Sequence, residues 1–464
     1  MTERLSSGAE RLDVILGGGL LRNSLNMIMG LPGSGKTILA QQYLLGNATE
    51  ERPGVYLSTV SEPLAKILRY GQGLSFFDSK SVGTSVFYED VGGRLNDGGL
   101  PGVLEHVTNL LKRRQPSILV VDSFKALHPY ADNSGHYRRF LHDLAGRLSA
   151  LPVTSFWVGE YGAHELSEAA EFAVADAIIS LTTERTAERE LRVLQVLKLR
   201  GSTFLSGKHA YRISEGGIDV FPRLADPAEQ PTYRLDGDRI STGISLLDGM
   251  LEEGYFQGAS TLVAGPSGSG KTLMGLHFVF NGAEHGERAL IATFQENPTQ
   301  LERVVQGFGW SLDHPGIDVM YRAPVDMYVD EWVYELLEAV DRTGARRVMV
   351  DSMGDLRAAS GDEIRFREYN YSLLQRLSRQ GVSLIMTQEV PELFGVTRLS
   401  EYGISHLSDN VVLLQFLRGE SQVKRAVTVM KTRGSAHDPA IRQFEITGEG
   451  FELGEAFLPA QSLL

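Results

Sequence analysis

Cysteine is absent from all 464 residues. That excludes a disulfide scaffold, thiolate-ligated zinc, an iron–sulfur cluster and a thiol nucleophile, and it accords with a reducing compartment. A long apolar run is missing as well. No stretch reaches the roughly 18 residues that a membrane span needs, and the opening MTERLSSGAERLDVILGGG has no apolar core of signal-peptide length. The expectation is a cytoplasmic protein without membrane contact. Excess positive charge is also lacking. Against 45 Lys+Arg stand 58 Asp+Glu, a net charge of −13, so the basic footprint of a nucleic-acid binder is missing. Tryptophan is scarce, with three residues in apolar surroundings where core positions are expected, and the 16 tyrosines form no stacking pattern.

What is present is ordinary globular material. Hydrophobic residues make up 42% and charged residues 22%, enough for real cores. The 50 glycines cluster, and the clusters recur. GLPGSGKT begins at Gly30 and GPSGSGKT at Gly265, 235 positions apart. SSGAERLD and STGISLLD keep that offset, while ILVVDS and VMVDS end their apolar runs at Asp122 and Asp351, 229 apart. VTSFWVGE and VSLIMTQE, from Val153 and Val382, follow at the same interval. LKLRGS and MKTRGS then pair Lys198 with Lys431 and Arg200 with Arg433 at 233. Ordered matches with so little drift mean a tandem duplication. DPAEQP, polar and with two prolines, is expected to be the linker at 226–231, between a first domain at 1–225 and a second at 232–464. Within each copy, short β-rich runs such as Leu25–Met29, Val55–Leu57, Ile118–Val121 and Thr154–Val158 alternate with helix-length segments. That pattern predicts an α/β fold, a mostly parallel twisted sheet flanked by helices.

Both glycine-rich segments satisfy G-x-x-x-x-G-K-[ST], a phosphate-binding loop between a strand and a helix. Gly30, Gly33, Ser34 and Gly35, like Gly265, Gly268, Ser269 and Gly270, let backbone N–H groups converge on phosphate oxygens. Lys36 and Lys271 are placed to reach the terminal phosphates, and the hydroxyls of Thr37 and Thr272 to ligate Mg²⁺. The helix that follows adds its positive end. Asp122 and Asp351 end apolar strands downstream, where a second Mg²⁺ ligand belongs. The expected ligands are ATP and Mg²⁺.

The run ISTGISLLDGMLEEGYFQGASTLVAGPSGSGKTLMGLHFVFNG, then ATFQENPTQL, VMVDS and KTRGSAHDPAIRQFEIT, resembles the KaiC family, and the first half matches it with RLSSGAERLDVILGGGL, LPGSGKT and LKLRGS. The resemblance implies two RecA-like P-loop ATPase domains and a homohexameric double ring with ATP between subunits. It implies that Lys198, Arg200, Lys431 and Arg433 reach across to a neighbour's nucleotide. The family carries a Glu-Glu pair after the second strand, the first of which activates the attacking water or hydroxyl. Here Val60 and Ser61 stand at that place in the first half, followed by Glu62, and Gln295 and Glu296 in the second. Val60 and Ser61 are not bases, so slow hydrolysis is expected in domain one. Gln295 can orient a water, and Glu296 is the remaining candidate base.

The family's autophosphorylated Ser-Thr pair corresponds to Ser405 and His406, which leaves Ser405 as the candidate phosphosite. Only LPAQSLL follows FELGEAF, too short for the tail that binds the family's activator, so a different regulatory partner and a homologue outside the cyanobacteria are expected. Two other readings compete with this one. A DNA-handling ring motor needs basic loops with interleaved aromatics. The one basic triplet, in LKRRQPS (Leu111 to Ser117), is better placed as a helix end. A nucleotide-gated scaffold with negligible turnover would follow from the altered Glu pair.

Overall fold

A computed structural model describes residues 3–60, 63–186, 189–224, 237–325, 327–392, 404–418, 422–448 and 450–457. The chain divides into two compact units, Met1–Arg223 and Leu224–Leu464. The expected linker at 226–231 lies outside the described residues.

In the first unit the apolar runs become β1 (Leu25–Gly30), β2 (Gly54–Ser58), β3 (Val86–Asp90), β4 (Ile118–Asp122) and β5 (Thr154–Gly159). They are followed by β6 (Ala177–Thr186), β7 (Arg189–Leu199), β8 (His209–Ser214) and β9 (Gly217–Phe221). One sheet of nine strands results, in the order β3-β2-β4-β5-β1-β6-β7-β8-β9. The strands from β3 to β6 are parallel to their neighbours, and β6 to β9 are antiparallel.

Every residue of β1 is buried, so both faces of the sheet need cover. The pleat separates the two sets. Met27 and Met29 face α2 (Gly92–Arg114) and α3 (Ser134–Ser149), where Val107, Leu110 and Leu144 pack. Ile28 faces the other side with Leu39, Tyr43 and Leu44 of α1 (Lys36–Asn47). Trp157 is fully buried and stacks on Phe124, ring centroids 3.9 Å apart. The basic triplet Lys112–Arg114 forms the last turn of α2, as the charge pattern predicts. Arg114 pairs there with Glu89 at 3.3 Å and lies over Phe87.

The second unit repeats this plan strand for strand. Its sheet holds β10 (Ser260–Gly265), β11 (Ala289–Thr293), β12 (Ile317–Tyr321), β13 (Arg347–Asp351), β14 (Ser383–Glu389), β15 (Asn410–Arg418), β16 (Val423–Thr432), β17 (Arg442–Thr447) and β18 (Gly450–Ala456). The order is β12-β11-β13-β14-β10-β15-β16-β17-β18, the first unit's order with nine added to each number. One face carries α4 (Lys271–Glu284), with Leu276, Val279 and Phe280 over Val263 and Ile385. The other carries α5 (Val329–Thr343) and α6 (Glu363–Arg379), with Trp332, Leu336 and Leu373 over Leu262 and Leu384. The chain thus folds as tandem α/β domains of the RecA-like kind, each a mostly parallel sheet flanked by helices.

Candidate functional site

In both units the central strand runs straight into the glycine-rich loop and then the helix. The glycines are there for steric reasons. A Cβ on Gly30 would overlap the Leu181 carbonyl oxygen, and one on Gly265 would sit 2.6 Å from that of Leu414. Gly35 and Gly270 precede α1 and α4 in the left-handed region, φ 89 and 102. Beside Gly33 and Gly268 there is open space. The hydroxyls of Ser34 and Ser269 are buried and take no hydrogen-bond partner among the described residues. A loop with an open floor and orphaned donors has the chemistry of a phosphate cradle.

A cleft of ≈ 730 Å³ opens over the first cradle, lined by Lys36, Thr37, Asp122, Lys125, Glu160 and Ile213 among others. The Lys36 ammonium donates to the Leu31 carbonyl, and Lys271 to that of Pro266, each at 2.9 Å. Burial holds both ammonium groups below their usual range. Glu160 and Asp122 oppose that shift at Lys36, and Glu389 and Asp351 oppose it at Lys271. The structure joins each threonine to its strand-end carboxylate. Thr37 donates to Asp122 Oδ2 at 2.7 Å and Thr272 to Asp351 Oδ2 at 2.6 Å. The Tyr56 hydroxyl is the second donor to Asp122, at 2.6 Å, and Thr387 the second donor to Asp351.

Lys198, Arg200, Lys431 and Arg433 are not brought to these cradles. They sit at the other end of the sheet, where β1 and β10 begin. Lys198 Nζ donates to the carbonyls of Phe172 and Ala173, and Lys431 Nζ to those of Ser405 and Ser408. Arg200 meets Asp176 at 3.5 Å and Arg433 meets Asp409 at 3.6 Å. These two carboxylates also hold the first strand residue, through Leu25 N–H at 3.0 Å and Ser260 N–H at 2.9 Å. Five steps of about 3.3 Å along β1 separate the Arg200–Asp176 pair from its own cradle, and the Lys198 main chain, in register with Ile178 and Met27, lies three steps from it with its ammonium turned away to Phe172 and Ala173. Ser405 lies at that same far end, half-buried in a four-residue helix, Ile404–Leu407. The exposed His406 offers its carbonyl to Arg433 at 2.6 Å.

The base positions differ between the units. Val60 is 47% exposed, while Ser61 and Glu62 lie outside the described residues. Gln295 donates to Asp355 Oδ2 at 3.0 Å, which also accepts from Ser352. Glu296 is half-buried, one oxygen has no partner among the described residues, and burial followed by the Asp351 charge raises its carboxyl above the ordinary range. Two residues escaped the sequence reading, Glu160 and Glu389, just beyond or at the end of β5 and β14. Their signal was available, since each closes one of the paired segments VTSFWVGE and VSLIMTQE.

Both halves of the chain match known proteins. The family model described as ATPase: KaiC matches residues 5–225 and again 240–456. A circadian clock protein, KaiC3 of Synechocystis, is 29% identical over the whole of this chain and 94% of its own. The circadian clock oscillator proteins KaiC of Thermostichus vulcanus and Prochlorococcus marinus subsp. pastoris are each 27% identical. Each alignment takes in 98% of this chain, with 90% and 91% of the relatives. With both halves matched by one model and the relatives aligned almost end to end, the chain belongs to the KaiC family of ATPases.

Proposed function

We propose that this protein binds ATP with Mg²⁺ in both cradles, hydrolyses it, and assembles through the bound nucleotide into a homohexameric double ring that serves signalling or timing. One observation carries the reading: each unit holds a complete cradle at one end of its sheet and two cations at the other. Cations that far from their own cradle do not serve it; in this reading they serve a neighbour's, where they would neutralise charge on the transferred phosphoryl group. Thr37 with Asp122, and Thr272 with Asp351, are the residues that would hold Mg²⁺, which supplies charge neutralisation at the phosphates. The linker at 226–231 joins the two rings in this reading, and the setting is cytoplasmic.

The two repeats divide the work. Glu296 serves as general base in the second, with Gln295 orienting the water. The first repeat has Val60 where a base would stand, and turns over slowly while its nucleotide holds the ring together. Ser405 is the candidate autophosphorylation site, and its place beside Lys431 makes any transfer one between subunits. A regulatory protein partner would read the state of the ring.

Labelled γ-phosphate tests this directly. Purified protein with ATP and Mg²⁺ should release labelled phosphate. Label kept on the chain and abolished by Ser405→Ala adds autokinase activity, whereas release alone leaves Ser405 structural. Neither release nor retention would sink the catalytic reading and leave a nucleotide-gated scaffold, which Val60 favours for the first repeat.

A further inference from the structure

We propose that Glu160 is the general base for water attack in the first repeat, taking the part that Val60 cannot; Glu389 holds the corresponding place in the second, where Glu296 is the base. This rests on the ATPase reading above.

Topology puts the residue there. β5 lies between β1, which carries the cradle, and β4, which carries Asp122. Met29 is opposite Gly159 and Asp122 is opposite Val158, so Glu160 emerges just past both. In the second unit the register is explicit, with Gly265 opposite Glu389. Among the described residues lining the cleft, the carboxylates are Asp122 and Glu160. Asp122 is committed to Thr37 and Tyr56. The Glu160 carboxylate takes no hydrogen bond or ion pair among the described residues. Its main chain is anchored instead: Lys125 donates to the Glu160 carbonyl at 2.7 Å and is itself paired with Glu165 at 2.6 Å. The side chain is thus a free acceptor on a fixed stem.

A carboxylate beside a phosphate cradle opposes anion binding, because like charges repel. Its field already reaches Lys36. The same cost recurs at Lys271 through Glu389. A proton acceptor beside the terminal phosphate turns that cost into a gain in the reaction. The water oxygen bonds to the γ-phosphorus and a water proton passes to the Glu160 carboxylate. The bond from γ-phosphorus to the β–γ bridging oxygen breaks, leaving ADP and inorganic phosphate. Glu160 then returns its proton to solvent.

The test uses the full chain carrying Lys271→Ala, so that turnover reports the first repeat alone. Phosphate release is followed against pH, and the affinity of a non-hydrolysable ATP analogue is measured alongside. Glu160→Gln should lower kcat about 100-fold and remove the acid limb, with the analogue bound as tightly or more tightly. Glu160→Asp should keep the acid limb at a reduced rate. Unchanged kcat in Glu160→Gln overturns the proposal. So does a loss of analogue affinity that matches the loss in kcat, which would make Glu160 a positioning residue for Lys36. A Lys271→Ala parent that binds analogue but releases no phosphate removes first-repeat turnover, and this inference with it, while the second repeat's ATPase reading stands.

Discussion

A carboxyl group that must accept a proton works only when ionised, and its surroundings decide at what pH that happens. Around Glu296, burial and the Asp351 charge both disfavour the ionised form, so its pKa lies above the usual 4.5. Base catalysis through Glu296 therefore appears as pH rises through that raised value and is lost below it. The acid limb of phosphate release should sit higher than for an exposed glutamate. Glu296→Gln should remove that limb and lower total release, leaving the slower first-repeat rate, by a factor on the order of 100 for the second repeat. A pH–rate profile of both proteins checks this. An unchanged limb in the variant would assign it to another group, with Glu389 next in line.

At the scale of an element, the cradle loop separates two uses of glycine. Gly30 cannot carry a Cβ because the Leu181 carbonyl occupies the space, whereas Gly33, at φ +76, faces nothing. Gly30→Ala should abolish nucleotide binding at the first cradle by displacing the loop, and halve the nucleotide bound per chain. Gly33→Ala should cost only left-handed strain of about 1 kcal/mol and keep measurable ATP affinity. Equilibrium binding to both variants decides it. A second element couples α4 to β18. His277 Nε2 accepts the Phe451 N–H at 3.0 Å and the ring stands edge-on to Trp310. Burial lowers its pKa from 6.5 to about 4. A depressed histidine gives stability that is complete above pH 6.5 and is lost as pH falls toward 4, about 3 kcal/mol in all. Urea unfolding followed by Trp310 fluorescence should show that slope, and His277→Gln should flatten it. The strands flanking the cradles were legible to within a residue, Leu25–Met29 against Leu25–Gly30, because strands buried on both faces are written as unbroken apolar runs. The three antiparallel strands that extend each sheet were not. Nor was the folding-back of Lys198 onto Phe172 and Ala173, which depends on where the chain returns rather than on local pattern.

At the scale of the whole molecule, the question is whether a cradle and its cations belong to one chain or two. Four strand residues lie between Leu25, held by Asp176, and Gly30 at the cradle. No rotamer of Arg200 or Arg433 spans such a distance, so in a free subunit both cations stay on Asp176 and Asp409. In the proposed ring, assembly completes each site, and nucleotide favours assembly in return. In the proposed division of labour the first repeat keeps its ATP longer, so Lys36→Ala should dissociate rings more than Lys271→Ala does. Light scattering with ATP compares them, and equal losses would contradict this division of labour. Mixing settles the sharing itself. Lys271→Ala lacks a working second cradle but keeps its cations, and Arg433→Ala is the reverse. If site and cation lay on one chain, equal mixing would restore nothing. If they are shared between neighbours, about a quarter of the second-repeat interfaces in a randomly mixed ring pair an intact cradle with an intact Arg433. Phosphate release should therefore rise well above that of either variant alone and fall again when exchange between rings is prevented.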